Sequence, residues 1–167
     1  MGIKVGINGF GRIGRNIMRA AMGNAEFDFV AVNDLTNAQT LAHLLKYDSI
    51  LGNLKGDISA SGDKISVGRD QFQVLSIKDP AQLPWKELGV DVALECTGIF
   101  TERSKAAAHL AAGAKRVLVS APCTGADLTV VYGVNHDKLT QEHHVVSNAS
   151  CTTNCLAPLV KPLQDSL

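Results

Sequence analysis

A glycine pattern near the amino terminus constrains the fold of this chain more than any other feature. Gly9, Gly11 and Gly14 follow a short apolar segment and open a segment of helical periodicity. At this spacing the first glycine permits a sharp turn, the second lets the backbone approach a phosphate, and the third lets the helix pack closely on the strand. The free amides and the positive end of the helix dipole would bind an anion. The pattern predicts a dinucleotide-binding turn, with a purely structural glycine turn as the alternative.

An acidic residue follows the next apolar run at the distance that a dinucleotide site requires. Residues 27–32 form that run, and Asp34 lies 20 positions beyond Gly14. A carboxylate at this place accepts hydrogen bonds from a ribose 2′-hydroxyl and repels a 2′-phosphate. Asp34 therefore favours NAD over NADP as the cofactor. The alternative is an aspartate that only caps a helix.

Composition and charge exclude several classes of protein. The chain has 167 residues, of which 46% are hydrophobic and 19% charged, as in an ordinary globular domain with its own core. The net charge is zero and basic runs are absent from the sequence, so we expect no nucleic-acid partner. We expect no membrane span, because no apolar stretch of the sequence is long enough to cross a bilayer. We expect no signal peptide, because the first strand begins almost at the amino terminus. The expected location is the cytoplasm.

The cysteines do not have the spacing of a metal site. None of the four belongs to a C-x-x-C pair or to a Cys/His cluster with zinc spacing, so we expect no metal. Without a secretory signal we expect reduced thiols. The four are Cys96, Cys123, Cys151 and Cys155.

Strand and helix patterns alternate along the chain, which predicts an α/β protein. We expect a Rossmann-type, doubly wound and mostly parallel sheet with helices on both faces. Residues 47–68 lose the alternation and contain four glycines. We interpret this segment as an insertion at the sheet edge, with short antiparallel strands at residues 57–60 and 64–67.

Helix signals divide the rest of the chain. The first helix should carry Ile13, Ile17 and Ala21 on one face and end at Gly23. A capping box at Thr36 should open a second helix, and Thr101 should cap a helix over residues 102–112 that ends at Gly113. The inward residues expected in the second helix are Ala38, Leu41, Leu44 and Leu45. Further strands are expected at residues 71–77, 90–94, 116–119, 129–134 and 144–146, and a short helix with a packed Trp85 at residues 80–88.

The stretch Ser147-Asn148-Ala149-Ser150-Cys151-Thr152-Thr153-Asn154-Cys155 follows the last predicted strand and opens a helix. A cysteine at a helix amino terminus lies at the positive end of the dipole, which stabilises the thiolate, the nucleophilic form. Cys151 is therefore the predicted nucleophile, with a structural cysteine as the alternative. One turn later, Cys155 should pack as a small apolar residue.

A nucleophilic cysteine needs a base, and no histidine is well placed for it. His43 and His109 fall in predicted helices, His136 lies in a polar turn, and His143 and His144 precede the last strand. The chemistry around Cys151 is incomplete within this sequence.

Three segments closely resemble phosphorylating glyceraldehyde-3-phosphate dehydrogenase, and the match extends over the whole chain. They are residues 8–15 around the glycine turn, residues 42–49 (Ala-His-Leu-Leu-Lys-Tyr-Asp-Ser) and residues 147–158 around Cys151. The last segment is also shared with erythrose-4-phosphate dehydrogenase, which stays open as an alternative. Asp34 is more similar to the glyceraldehyde-phosphate enzymes.

The resemblance implies a set of cofactor contacts. The amides of Arg12 and Ile13 would hold the pyrophosphate, and Asp34 the adenosine ribose. Lys78 lies where the family often has an arginine near the adenine, although a solvated charge is the alternative. Thr97, Gly98 and Ser120 would line the cofactor cleft.

The resemblance also implies the reaction. Cys151 would attack the aldehyde of glyceraldehyde 3-phosphate, hydride would pass to NAD, and inorganic phosphate would release the thioester as 1,3-bisphosphoglycerate, a step of glycolysis. Ser150 and Thr152 would contact the substrate. Members of the family are homotetramers, so a homo-oligomer is expected.

One departure from the family concerns length. The family continues into a second domain that supplies the activating histidine, a phosphate-binding arginine and a helix that returns to the first domain. This sequence stops at Leu167, 16 residues after Cys151. We therefore expect an NAD-binding domain at residues 1–150 and, at residues 151–167, an active-site helix that leads into a catalytic domain absent from this chain. The fragment alone should be inactive, and a catalytically silent NAD-binding module is the rival interpretation.

Overall fold

A nine-stranded sheet forms the centre of the protein. The computed structural model describes residues 2–68 and 70–167. The strand order across the sheet is β3-β4-β5-β2-β1-β6-β7-β9-β8. The strands are β1 (Ile3–Asn8), β2 (Phe27–Asn33), β3 (Ile58–Ser61), β4 (Lys64–Val67), β5 (Asp70–Leu75), β6 (Val92–Glu95), β7 (Arg116–Val119), β8 (Leu128–Thr129) and β9 (Val145–Ser147).

Within the described residues, five α-helices lie between these strands and a sixth follows the last strand, with short 3₁₀ turns at Pro80–Gln82 and His136–Lys138. The helices are α1 (Arg12–Ala21), α2 (Ala38–Lys46), α3 (Trp85–Leu88), α4 (Arg103–Ala106), α5 (Ala108–Ala111) and α6 (Cys151–Ser166).

The sheet is parallel from β5 to β8, and only β3 and β4 are antiparallel to their neighbours. This arrangement confirms the predicted doubly wound α/β fold. It also places the glycine-rich insertion at the sheet edge. Its two short strands, β3 and β4, pair with each other within one residue of the predicted ranges. Antiparallel strands fit there because a tight turn can join them, whereas parallel neighbours need a long crossover.

Apolar residues cover both faces of the sheet. On β2, Val32 packs with α1 and α2, while its neighbour Ala31 packs with Trp85 on the other face. Adjacent strand residues point to opposite faces, so these two clusters require helices on both sides. Trp85 is fully buried, and a Cβ on Gly6 would lie 2.8 Å from its ring. Glycine in the central strand therefore makes room for the indole.

The inward face of α1 differs from the prediction. Ile13 is 49% exposed and Ile17 is only partly buried, whereas Gly14 and Met18 are buried. The cause is the closeness of the helix to the preceding turn, since Gly14 can lie against the turn only with its bare Cα facing inward. The helix does end as expected, with Gly23 at a φ of +80° just beyond it.

The start of α2 also corrects the prediction. Asn37, not Thr36, caps the helix, and its side-chain oxygen accepts a hydrogen bond from the Thr40 amide. Leu44 is 38% exposed, although the other three residues predicted inward are buried. Ala42 is buried in place of Leu44, because at 100° per residue Ala42 lies on the face formed by Ala38, Leu41 and Leu45, whereas Leu44 lies to one side of it.

Residues 102–112 form two short helices, α4 and α5, rather than one. The predicted cap at Thr101 is wrong, because the Arg103 amide donates instead to the carbonyl of Thr124. The predicted strand over residues 129–134 is also largely wrong and stops at Thr129. Its continuation folds into a turn because the Asn135 side chain accepts from the Val131 amide and donates to the Thr129 carbonyl.

Helix α6 continues through both of its prolines, Pro158 and Pro162. Cys155 is exposed on this helix, so the prediction that it packs as an apolar residue is wrong. The exposed residues beside it are apolar too: Leu156, Leu159, Val160 and Leu163.

The packing of α1 on its turn yields a stability prediction. A Cβ on Gly14 would lie 2.3 Å from the Gly9 carbonyl oxygen, whereas a Cβ on Gly11 would meet nothing within 4 Å. We expect Gly14→Ala to lower the free energy of unfolding by about 2 kcal/mol through overpacking. Gly11→Ala, the matched control, should change it by less than about 0.5 kcal/mol. Urea unfolding checks both, and equal stabilities for the two variants would contradict the close approach.

Candidate functional site

The carboxyl ends of four neighbouring strands are level along one edge of the sheet. Backbone hydrogen bonds continue the strand pairing by one residue beyond each end, with N–O distances of 2.7–3.0 Å. The turns that follow β1, β6, β7 and β9 therefore lie side by side. Open parallel sheets bind their ligands at this edge. The four donor and acceptor pairs are Gly9 with Asn33, Cys96 with Asn8, Ser120 with Glu95, and Asn148 with Val119.

The three glycines of the first turn lie in the environments that the spacing predicts. Gly9 has a φ of +89°, and a Cβ there would lie 2.7 Å from the Thr97 amide nitrogen. Gly14 packs against the Gly9 carbonyl, and Gly11 faces open space. A ligand can thus approach the backbone at Gly11, while Gly9 and Gly14 allow the neighbouring backbone segments to meet.

The first amides of α1 are available for a ligand. The N-cap residue is Gly11, so no side chain caps this end of the helix. The Arg12 guanidinium reaches away to Asp48, at 3.2 Å. Hydrogen bonds from the amides of Leu51 and Ile50, together with Arg12, hold the pKa of the Asp48 carboxyl below its usual value. The helix start therefore combines free N–H groups with an uncompensated dipole, the features that bind an anion.

A cleft of about 450 Å³ opens beside this turn. The Asp34 carboxylate forms part of its wall and accepts a hydrogen bond from the Phe10 amide, at 2.9 Å. Five residues predicted to bind the cofactor line the cleft: Gly9, Gly11, Asp34, Lys78 and Thr97. The cleft is also lined by Asn8, Asn33, Leu35, Ile77, Cys96, Ile99 and Phe100.

The other predicted cofactor residues lie around this cleft without lining it. Arg12 and Ile13 are exposed at the start of α1, and Gly14 is buried beneath the turn. Gly98 lies in the exposed turn after β6, with a φ of +74°. Ser120 follows β7, and its amide donates to the Glu95 carbonyl. The structure thus gathers the predicted set along one edge, with the glycine turn at its centre.

A larger cavity, of about 650 Å³, lies at the opposite edge of the sheet. Met18, Phe29 and Phe72 line it, between the end of α1 and the start of β2. None of the predicted cofactor or substrate residues borders this cavity. The volume of a cavity therefore does not select the candidate cofactor site. The smaller cleft is the candidate because the glycine turn and the predicted cofactor residues border it.

Two asparagines in the cleft were missed from the sequence. Asn33 donates to the Asn8 side-chain oxygen at 2.7 Å, and it exchanges two hydrogen bonds with the backbone of Ile77. These contacts join β1, β2 and the segment after β5 beneath the cleft. A signal was present, because each asparagine is a polar strand end that follows at least three residues without a polar side chain.

Cys151 is the first residue of α6, and its side chain is exposed. Ser150 caps this helix by accepting the Thr153 amide at 3.0 Å, and its hydroxyl also lies 2.9 Å from that of Thr152. Ala149, just before the cap, is buried and has a φ of +56°, a left-handed conformation that is rare outside glycine. The residues predicted to act on substrate are thus neighbours at a helix start, as expected.

The loop before Cys151 is held by side-chain hydrogen bonds. The Ser147 hydroxyl donates to the Ala121 carbonyl at 2.7 Å and accepts the Ala149 amide. The Asn154 amide group donates back to the carbonyls of Asn148 and Ser150. These contacts fix the left-handed residue and the helix start relative to β9.

The start of β9 is anchored by Asp127, which accepts the amides of His144 and Val145 at 2.8 and 2.9 Å. Although partial burial opposes its charge, the hydrogen bonds from Arg103 and these two amides lower the Asp127 pKa to about 2. Asp127 therefore stays ionised and holds the strand that carries the cysteine loop.

Every histidine of the chain makes its contacts away from Cys151. His109 is buried against Trp85 and Glu95, His43 lies beside Tyr47, and His144 contacts Arg116. His136 accepts a hydrogen bond from the Gly133 amide, and His143 accepts one from the Thr140 amide. That no histidine of this sequence serves Cys151 stays a prediction.

The fold and the cleft define a dinucleotide-binding domain, and comparison with known proteins gives its family. A family model described as "Glyceraldehyde 3-phosphate dehydrogenase, NAD binding domain" matches residues 3–103. The chain belongs to this family. The match confirms the resemblance seen in the sequence and confirms NAD as the cofactor predicted from the glycine turn and Asp34.

Curated relatives match over the length of the chain. A glyceraldehyde-3-phosphate dehydrogenase of Xanthobacter flavus is 64% identical over 169 aligned positions, covering 100% of this chain and 50% of the relative. Those of Cereibacter sphaeroides and Geobacillus stearothermophilus are 57% and 56% identical, covering 100% and 99% of this chain and 50% of each relative. The chain thus spans about half the length of the curated relatives it matches.

Two kinds of feature are absent from residues 2–68 and 70–167. Within these ranges, helices of the length and apolar character that a bilayer crossing requires are absent. In the same ranges, no three His, Cys, Asp or Glu side chains converge as a metal site would require.

Exposure and burial of the four cysteines predict an order of alkylation. Cys151 and Cys155 are exposed, whereas burial raises the pKa of Cys123 and raises that of Cys96 to about 11. With iodoacetamide at neutral pH, Cys151 should react fastest because a helix amino terminus favours the thiolate, and Cys155 should be next. Cys96 should react appreciably only as the pH approaches 11. Peptide mapping by mass spectrometry measures all four, and equal rates for Cys151 and Cys155 would exclude an effect of the helix start.

Proposed function

We propose that this chain is the cofactor-binding part of an NAD-dependent dehydrogenase that converts glyceraldehyde 3-phosphate and inorganic phosphate to 1,3-bisphosphoglycerate. The observation that carries the proposal is the position of Cys151. It begins a helix directly after β9, at the same edge of the sheet as the glycine turn. In this proposal residues 1–150 form the NAD-binding domain, and residues 151–167 lead into a catalytic domain. The role in glycolysis would place the enzyme in the cytoplasm.

The residues around the cleft fit NAD. The amides of Arg12 and Ile13, at an uncapped helix start, would hold the pyrophosphate. The Asp34 carboxylate would accept the hydroxyls of the adenosine ribose, and the Lys78 ammonium would lie near the adenine end of the cleft. Gly9, Gly11 and Gly14 would let the backbone come close enough for these contacts, while Thr97, Gly98 and Ser120 would border the rest of the cofactor.

The chemistry proposed for Cys151 starts with the thiolate. Its sulfur forms a bond to the aldehyde carbon, the carbonyl electrons move to oxygen, and the oxygen takes up a proton from the base, which gives a hemithioacetal. The same base would take this proton back as the hydride leaves. When bound, NAD supplies the hydride acceptor that oxidation of this intermediate to a thioester requires. A phosphate oxygen then attacks the thioester carbon and forms the acyl phosphate. The carbon–sulfur bond breaks and its electron pair returns to the Cys151 sulfur as thiolate.

The neighbours of Cys151 would position the substrate. Ser150 and Thr152 flank Cys151 in the sequence, and their hydroxyl oxygens lie 2.9 Å apart at the helix start. Free amides at this helix start would stabilise negative charge on a bound phosphate or on the developing oxyanion. The family resemblance assigns the base and the phosphate-binding arginine to the second half of the relatives, and it favours a homotetramer.

Two alternatives remain as proposals. Erythrose-4-phosphate dehydrogenase shares the Cys151 segment, and assays with both aldehydes would separate it from the leading proposal. The second alternative is an NAD-binding module without turnover. It is favoured by the contacts of the five histidines, none of which involves Cys151.

The ribose contact proposed for Asp34 is testable by cofactor choice. Asp34→Ala removes the acceptor for the 2′-hydroxyl and the charge that repels a 2′-phosphate, so NAD should bind about tenfold more weakly and NADP no more weakly than before. Calorimetric titration with each cofactor measures both affinities. Asp28→Ala, on the exposed opposite end of the same strand, is the control and should change neither. An unchanged preference in Asp34→Ala would exclude the ribose contact.

The division of labour between the two halves is testable by turnover. The 167-residue chain should bind NAD but form no NADH in the steady state from glyceraldehyde 3-phosphate, NAD and phosphate. A full-length protein that contains this sequence should form NADH, and its Cys151→Ser variant should lose at least about 10³-fold in rate while still binding NAD. Robust turnover by the 167 residues alone would contradict the proposal.

A further inference from the structure

A buried carboxylate beneath the cofactor cleft has no part in the proposed chemistry. Glu95 is the last residue of β6, and its side chain is 1% exposed. It lies directly before Cys96 and Thr97, both of which line the cleft. A buried charge is costly unless several hydrogen bonds compensate it, so its presence at this edge calls for an explanation.

Both oxygens of Glu95 accept hydrogen bonds from more than one donor. Oε2 accepts from the Asn8 side-chain nitrogen at 2.7 Å and lies 2.9 Å from His109 Nε2. Oε1 accepts from the Thr97 amide at 2.8 Å and from the Thr97 hydroxyl. Two of these partners, Asn8 and Thr97, line the cofactor cleft at the carboxyl ends of the neighbouring strands β1 and β6. One carboxylate therefore ties the glycine turn of β1 to the turn after β6.

The proton on His109 is fixed by its other neighbour. The Trp85 indole nitrogen donates to His109 Nδ1 at 3.0 Å, and an indole N–H can only donate. Nδ1 must therefore be the unprotonated ring nitrogen, and Nε2 carries the proton. His109 donates from Nε2 to Glu95, in surroundings where Trp85 and His109 are both fully buried.

The opposite end of the network is fixed by the backbone. The Ile77 amide donates to the Asn33 side-chain oxygen, so the amide nitrogen of Asn33 points the other way and donates to Asn8 Oδ1. The nitrogen of Asn8 is then the group that faces Glu95. The backbone at one end and the indole at the other thus determine the direction of two hydrogen-bond chains that meet at Glu95, one from Asn33 through Asn8 and one from Trp85 through His109.

We infer that Glu95 is a positioning residue of the cofactor cleft: a carboxylate on which donors from the end of β1 and from the turn after β6 converge, and which sets the spacing between Asn8 and Thr97. The inference rests on the proposed binding of NAD in this cleft. The spacing matters because the turns after β1 and β6 are already in contact: a Cβ on Gly9 would lie only 2.7 Å from the Thr97 amide nitrogen.

The substitution Glu95→Gln separates this role from simple packing. Glutamine has the same shape but presents an NH₂ group at one of the two oxygen positions. In one orientation that group meets the donors of Asn8 and His109, and in the other it meets the Thr97 amide. A flip of Asn8 would not relieve the conflict, because Asn33 is held by Ile77 and would then face Asn8 nitrogen to nitrogen.

Asp91→Asn is the matched control. Asp91 also links a segment next to β6 to β1, since it accepts the Lys4 amide at 2.9 Å, and it pairs with Lys115. It does so at the amino edge of the sheet, away from the cleft. Both variants should lower thermal stability. Only Glu95→Gln should weaken NAD binding, by about tenfold or more, measured by calorimetry at a temperature where each variant is fully folded.

A spectroscopic measurement on the unaltered chain keeps the inference testable even if Glu95→Gln fails to fold. Trp85 is the only tryptophan of the sequence, so it gives one indole N–H signal in a ¹⁵N NMR spectrum. Neither Trp85 nor His109 lines the cleft. We expect His109 to show the Nε2–H tautomer, and we expect added NAD to shift both the His109 and the Trp85 signals through Glu95.

The outcomes separate this inference from the proposed function. If the unaltered chain binds no NAD, the proposed function fails. If it binds NAD and Glu95→Gln binds equally well, or His109 carries its proton on Nδ1, the proposed function stands and the role of Glu95 is excluded. If the unaltered chain and Asp91→Asn bind alike while Glu95→Gln is weaker, the role of Glu95 is supported.

Discussion

The close approach of the first helix to the turn before it is the contact on which the rest of this edge depends. Gly14 lies so near the Gly9 carbonyl that no side chain fits between them. Because the helix packs directly on the turn and no side chain caps it, its first amides lie at the carboxyl ends of the strands. Pairing of β1 with β6 also brings Gly9 against the backbone of Thr97, so main-chain contact fixes the distance between the two turns.

Beneath that surface, polar groups at strand ends replace the apolar packing found elsewhere in the sheet. Asn8, Asn33 and Glu95 each close a strand whose preceding residue is apolar, and each is buried. A crossing row of this kind is tolerable only when every donor finds an acceptor, and in the described part of the chain no buried side-chain nitrogen or oxygen lacks a partner. The hydrogen bonds among Asn8, Asn33 and Glu95 therefore restrict the relative motion of the strand ends beneath the cleft.

Sequence reasoning succeeded where local chemistry decides the structure. The glycine spacing, the aspartate after β2 and the cysteine at the start of α6 were predictable, because each depends on neighbours within a few residues. It failed where distant segments decide. The Arg103 amide is capped by Thr124, and Ile13 faces solvent because of the contact made by Gly14, and neither effect has a periodic signal. The role of Glu95 was hidden for the same reason, since its partner His109 lies 14 positions away on another element.

The left-handed backbone of Ala149 has a consequence for how the thiol is held. When a strand and a helix are joined by extended residues of similar conformation, the residue at which the helix begins can shift by one position at little cost in free energy. Here a slip by one position would bury the polar side chain of Ser150 or Asn148 in the site that the methyl group of Ala149 now occupies. Ala149 thus fixes the number of residues between β9 and α6, and with it the distance of the Cys151 sulfur from the end of the sheet.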